Sequence, residues 1–198
     1  MKKDLIKKII FFLVMLIYIS VPIQMIYSYQ STLRNGKLYR FKPAPVDPYD
    51  AFRGKYITLN YMISGMEYDT SKVSLVEGDD VFLKLGKDTT GFAVITEVLS
   101  EAPEDGDYIK TTVNWNYIDT TGHVNFQLPF NRYYLPEDMA QEAESIYMEN
   151  IPWGNSQSDS SVYVDVRVKN GTGVIEELYF TGIPVKEYIH KHGSGKKQ

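Results

Sequence analysis

The chain has 198 residues, no cysteine and a formal charge of −4, which excludes disulfides, thiol nucleophiles and cysteine-ligated zinc or iron–sulfur centres. Lack of disulfides does not argue against export, because a domain of this size holds together by burial alone. Residues 34–198 carry 17 basic against 24 acidic side chains, and so acidic a domain is a poor partner for nucleic acid and for anionic lipid headgroups.

Residues 1–8 are a basic cytoplasmic tail containing Lys2, Lys3, Lys7 and Lys8, offset by Asp4. From Ile9 to Tyr27 the sequence is almost unbroken apolar, and no charge occurs between Lys8 and Arg34. These 19 residues make about 28 Å of helix, close to the roughly 30 Å of a bilayer's hydrocarbon core. A cleaved signal peptide needs a shorter core and a small-x-small site, whereas the local candidate Ser28-Tyr29-Gln30 ends in a large amide. Lipoprotein processing has no cysteine to act on. The run at 9–27 therefore reads as one uncleaved transmembrane signal anchor, with Pro22 tolerated as a kink. Basic residues also follow it, at Arg34, Lys37, Arg40 and Lys42. The tighter N-terminal cluster, and the ease with which long domains translocate, place the domain outside the cytoplasm.

Residues 28–37 read as a polar tether, 38–189 as the extracytoplasmic domain and 190–198 as a flexible tail. Leu38 to Phe41 starts a short strand, closed by Pro43, Pro45 and the Asp47-Pro48 turn. Tyr56 to Ser64 is the clearest strand: Ile57, Leu59, Tyr61 and Ile63 alternate onto a core face. Val81–Leu85 and Phe92–Val98 pair across the Gly86–Gly91 segment. Tyr108–Trp115 and His123–Leu128 are further strands, with Thr121-Gly122 between them. Pro136 opens a helix in which Met139, Ala143, Ile146 and Tyr147 recur at helical spacing. The Gly154–Ser161 stretch is a loop. Val162–Val168 alternates, Asn170-Gly171 supplies a type I′ turn, and Val174–Phe180 returns. The formal glycosylation acceptor Asn170-Gly171-Thr172 is better explained by that turn. The expected fold is mainly β: an antiparallel β sandwich or partly open barrel with one short helix, preceded by a single N-terminal transmembrane helix.

The run from Asp47 to Tyr61 resembles the bacterial GDYXXLXY family. Gly54, Tyr56, Leu59 and Tyr61 match its motif, and Lys55 stands where the motif has aspartate. The segments Tyr134-Leu135-Pro136-Glu137 and Leu178-Tyr179-Phe180-Thr181-Gly182 are also family-like, so the resemblance spans most of the domain. It implies a membrane-anchored bacterial protein, hence a periplasmic-side domain, of a family with no assigned activity whose members can sit beside multi-pass membrane proteins. The motif makes structural sense by itself: Gly54 turns the chain into the strand, Leu59 and Tyr61 face the core, and Tyr56 packs against the Pro43–Pro48 segment. Lys55 removes any carboxylate chemistry from that position.

Asp47, Asp50, Arg53 and Lys55 form a candidate loop site for a charged ligand, with exposed ion pairs as the simpler reading. His190-Lys191-His192 supplies too few ligands for a metal, so no metal, cofactor or catalytic residue is assigned. The expected function is a non-enzymatic, inner-membrane-anchored domain that binds another membrane or envelope protein. The alternatives are an anchored hydrolase, signal-peptidase-like or carboxylate-based, and a small-ligand sensor. For the former, Ser28 and Ser31 are the serines near the anchor, and only Lys84 sits in an apolar strand.

Overall fold

The computed structural model describes residues 2–44, 56–61, 66–67, 78–113, 123–124, 126–136, 138–139, 142–143, 146–147 and 161–192. Helix does not stop where the apolar run stops. α1 (Lys2–Asn35) is continuous over 34 residues with Pro22 inside it. It is long and apolar enough to cross a membrane, and its apolar window is fully exposed. The polar tether expected at 28–37 is instead the last helical turns followed by Gly36 and the first strand. Ser, Tyr, Thr and Asn are mediocre helix formers, but here the last turns pack on a sheet, and tertiary contact outweighs propensity.

Thirteen strands follow among the described residues: β1 (Lys37–Phe41), β2 (Pro43–Ala44), β3 (Tyr56–Thr58), β4 (Asn60–Tyr61), β5 (Met66–Glu67), β6 (Asp80–Lys87), β7 (Ala93–Leu99), β8 (Tyr108–Thr112), β9 (His123–Val124), β10 (Arg132–Tyr134), β11 (Val162–Lys169), β12 (Thr172–Phe180) and β13 (Ile183–Pro184). A C-terminal helix, α2 (Val185–His192), closes the described chain. The largest sheet has the order β1-β11-β12-β13, and a three-stranded sheet has the order β7-β6-β8. Three two-stranded pairs, β10-β3, β2-β4 and β5-β9, complete the set. Every strand pair is antiparallel. No barrel closes; isolated bridges from Arg40 to Phe92 and from Ile109 to Gly171 join the two larger sheets.

The β11–β12 hairpin is the hub. Its turn residues, Asn170 and Gly171, have φ of 49° and 80°, as a type I′ turn requires. Val162, Val164, Val166 and Val168 point inward and pair with Phe180, Leu178, Ile175 and Gly173. That partner set changes parity between Ile175 and Leu178, and the β-bulge at Glu176 makes the change possible. Gly173 carries no side chain because the Phe130 ring lies where a Cβ would be, 2.5 Å away. One buried cluster fills the interior, drawing on Tyr39 and Phe41 of β1, Val81 and Leu83 of β6, Ile109 of β8 and the hairpin valines.

Several expectations are corrected in detail. The strand foreseen from Tyr56 onward is interrupted at Leu59, because β3 pairs with β10 while β4 pairs with β2. Strand β8 ends at Thr112, where the next amide, Val113, donates to the Asp79 carbonyl at 2.9 Å. Among the described residues of the expected His123–Leu128 strand, β9 is extended and 126–128 are irregular. The foreseen helix is present at Asp138, Met139, Glu142, Ala143, Ile146 and Tyr147, with Ala143 and Tyr147 buried. Of the tail foreseen as flexible at 190–198, residues up to His192 belong to α2. Val185 and Ile189 bury one face of that helix, and Tyr188 packs on Phe180 with ring centroids 5.5 Å apart. The expected features at Asp47-Pro48, Ile63 and Thr121-Gly122, and at 193–198, lie outside the described residues.

The turn makes a measurable demand. A Cβ on Gly171 would lie 2.7 Å from Cε2 of Tyr108, whereas Gly91, at φ +86°, has nothing within 4 Å of the same position. Gly91→Ala is expected to lose only the left-handed backbone cost, about 1–2 kcal/mol. Gly171→Ala should lose about 1–3 kcal/mol more through the clash. Urea unfolding of both variants checks the difference.

Candidate functional site

Two buried motif positions, Leu59 between β3 and β4 and Tyr61 in β4, hold a neighbouring segment in place. Leu59 is fully buried, and its amide donates to the carbonyl of Asn131 at 2.8 Å. Tyr61 is buried, and its hydroxyl donates to the carbonyl of Phe130 at 2.7 Å. Phe41, Tyr61 and Phe130 form a triangle of edge-to-face rings with centroids 5.2–5.5 Å apart, the arrangement that ring quadrupoles favour. Ile57 pairs with Tyr133 across β3 and β10. These contacts grip residues 130–134 from behind.

Most of the Pro43–Pro48 segment expected beside Tyr56 lies outside the described residues. The Tyr56 ring packs on Tyr134, with centroids 5.6 Å apart, and the Arg132 guanidinium lies 5.0 Å above it. The Pro43 backbone pairs instead with Tyr61. Alternation along β10 leaves Arg132 and Tyr134 exposed and Tyr133 buried. The same alternation is readable in Arg-Tyr-Tyr-Leu, but the segment lies between a foreseen strand and a foreseen helix and drew no assignment. Gly54 and the loop candidates Asp47, Asp50, Arg53 and Lys55 lie outside the described residues.

A second constellation lies where α1 meets the hairpin. Thr32 is buried, and the Gly36 amide donates to its carbonyl at 2.8 Å. Gly36 fits because a Cβ there would collide with that carbonyl and approach Cβ of Arg167 to 3.1 Å. Arg167 donates to the Gly36 carbonyl at 3.3 Å and is held from the other side by Glu176, 2.7 Å away. Lys169 Nζ donates to Ser31 Oγ at 2.9 Å across 138 residues of sequence. Sequence reasoning considered Ser31 but not this lysine, since nothing local links the two.

The two constellations meet at Tyr29, which is half-exposed. It borders a groove of about 490 Å³ that is also lined by Asn131, Arg132, Tyr134 and Val174. On its other side lies a second groove, lined by Asp80, Lys110, Thr111 and Gln127. There Lys110 and Asp80 neutralise each other at 2.6 Å. Farther off, Asp107 accepts from Tyr39 and pairs with Lys37, each at 2.8 Å. Burial works to raise the Asp107 carboxyl, but Lys37 and Tyr39, with the charge of Lys87, outweigh it and hold the group below its ordinary value.

Three tyrosines near the motif respond to their surroundings in one direction. Burial first, then the charge of Tyr147, lifts Tyr61 well above the ordinary 10.0. Burial lifts Tyr147; burial, then the hydrogen bond to Glu177, lifts Tyr133. A raised folded-state value means that stability is fully present below the unfolded value and is lost as pH rises above it. Alkaline unfolding is therefore expected above about pH 10, with these tyrosines ionising only as the fold opens; absorbance at 295 nm against far-UV circular dichroism measures it. Tyr61→Phe should cost about 1–3 kcal/mol by leaving the Phe130 carbonyl without that donor, measured by thermal denaturation.

The model of one protein family, described as GDYXXLXY protein, matches residues 18–178. Neither a curated protein nor a solved structure matches the chain. The matched range runs from within α1 through the motif strand to the return strand of the hairpin, and on this evidence the chain belongs to the GDYXXLXY protein family.

Proposed function

We propose that this protein is a non-enzymatic, single-pass membrane protein whose β domain stands outside the cytoplasm and binds another membrane or envelope protein. The observation that carries the reading is the unbroken α1: its apolar length is exposed while its last turns are fastened to the hairpin through Ser31, Thr32 and Gly36. Such a junction transmits position. A partner in the bilayer and a partner at the surface would meet one rigid body rather than a domain on a leash. Beside the junction, Ile23, Ile26, Tyr27, Gln30 and Arg34 line an apolar groove along the helix, a suitable seat for a neighbouring membrane segment.

A second reading has its own observation. The Ser31–Lys169 contact is the pairing a serine–lysine hydrolase uses, and it sits beside the anchor. Such an enzyme needs the lysine desolvated so that it can take the serine proton. Lys169 is only half-buried at a hairpin end, so the contact is better read as a fastening between helix and sheet.

Two experiments separate the readings. A photo-crosslinker at Gln30 in whole cells should give an adduct of discrete mass with a second protein; absence of any protein adduct, with monomeric elution from detergent, would sink the interaction reading. A phosphatase fused to the C-terminus should be active, and inactivity would reverse the orientation. Fluorophosphonate labelling of Ser31, abolished by Lys169→Met, would replace the leading reading with hydrolysis.

A further inference from the structure

We propose that the groove shared by Tyr29, Arg132 and Tyr134 seats the headgroup of an anionic phospholipid in the leaflet nearest the β domain. The inference rests on the membrane-anchor reading and adds a ligand to it. Its first support is the depth fixed by α1. Tyr29 lies two residues beyond Tyr27, the end of the apolar run, which is about 3 Å along a helix. The headgroup layer is about 5–7 Å deep on each side of the hydrocarbon core, so Tyr29 and the groove it borders fall within that layer. Thr32, already buried against the domain, is about 7.5 Å beyond the same point. The domain therefore starts at the membrane surface and has no slack with which to leave it.

Chemistry is the second support. Among the described residues, Arg132 is the one charged side chain lining this groove. It is exposed, and its guanidinium is held over the Tyr56 ring, leaving its donors free to fork onto a phosphate. Tyr29 and Tyr134 are 50% and 63% exposed; tyrosine at the boundary between lipid and water keeps its ring in the apolar layer and its hydroxyl wet. The adjoining groove has the opposite character, because Asp80 and Lys110 cancel there. The domain is acidic overall, so an anionic leaflet repels much of its surface, and Arg132 supplies a local attraction at this groove. The motif strand gains a purpose from this: Leu59, Tyr61 and Tyr56 set the position of Arg132 and Tyr134.

The chain contains no cysteine, so single labelling sites can be introduced cleanly. Full-length protein in detergent is titrated with phosphatidylglycerol and with phosphatidylcholine, and retained lipid is counted by native mass spectrometry. One phosphatidylglycerol should be retained preferentially, and Arg132→Gln should weaken it about fivefold, the effect of one basic residue at an anionic surface. Tyr134→Ser, at a position whose side chain is exposed, should weaken it as well, whereas Lys186→Gln on α2 should not. Equal retention of the two lipids, unchanged retention in Arg132→Gln with a native melting temperature, or displacement by inorganic phosphate alone overturns the proposal. In nanodiscs, a nitroxide at Ile17→Cys should be reached by dissolved oxygen, and one at Thr172→Cys by a nickel-chelating headgroup. If Ile17 is not lipid-exposed, the anchor reading itself fails. If Ile17 is embedded but phosphatidylglycerol is not preferred, only the headgroup site fails.

Discussion

The tight turn at Asn170-Gly171 is the constraint on which the rest of the molecule depends. It brings two long strands together with the four valines of β11 on one side, and the other elements then attach to that ribbon. β1 pairs along β11, β13 and α2 cover the far end of β12, and β8 meets the turn itself through the bond from the Lys110 amide to the Gly171 carbonyl. The end of α1 stops against Arg167 and Lys169 at the same end of the ribbon. A backbone requirement at two residues thus fixes which end of the domain faces the helix.

From that end the structure builds a rim rather than a deep cavity. Leu59 and Tyr61 bond the Asn131 and Phe130 carbonyls, so these two motif positions act on backbone. Their effect appears two to four residues on, where Arg132 and Tyr134 emerge beside Tyr29. Polar groups elsewhere are paired for stability. Asp165 is nearly buried, and Arg40 covers it at 3.0 Å while lying 4.0 Å from the Tyr163 ring centroid. A buried carboxylate without such a partner would be costly, which explains why the outer face of the hairpin carries this cluster.

Much of the fold is legible in the chain order alone, for reasons that can be named. Val162 to Phe180 shows period-two alternation around Asn-Gly, and both signals come from adjacent residues. The helix after Pro136 likewise announces itself through Ala143 and Tyr147, four residues apart and both buried. The break in the motif strand at Leu59 could not be read this way. It arises because β3 and β4 take different partners, and partner choice is not written in local pattern. The bulge at Glu176 is equally silent in sequence, since it is needed only when Ile175 and Leu178 must both meet the same row of valines.

By itself the sequence determined an apolar segment of bilayer length, an acidic domain of mainly β structure, the hairpin and its turn, and the alternation that buries Ile57, Leu59 and Tyr61. Tertiary structure alone decided that residues 28–35 are helix rather than tether, that Ser31 meets Lys169, and that Tyr29 stands beside Arg132 and Tyr134. The difference is physical. Periodicity, turn chemistry and hydrophobic length are properties of neighbours along the chain. Contacts between residues more than a hundred positions apart exist only after burial has overcome the entropy of closing the loops between them.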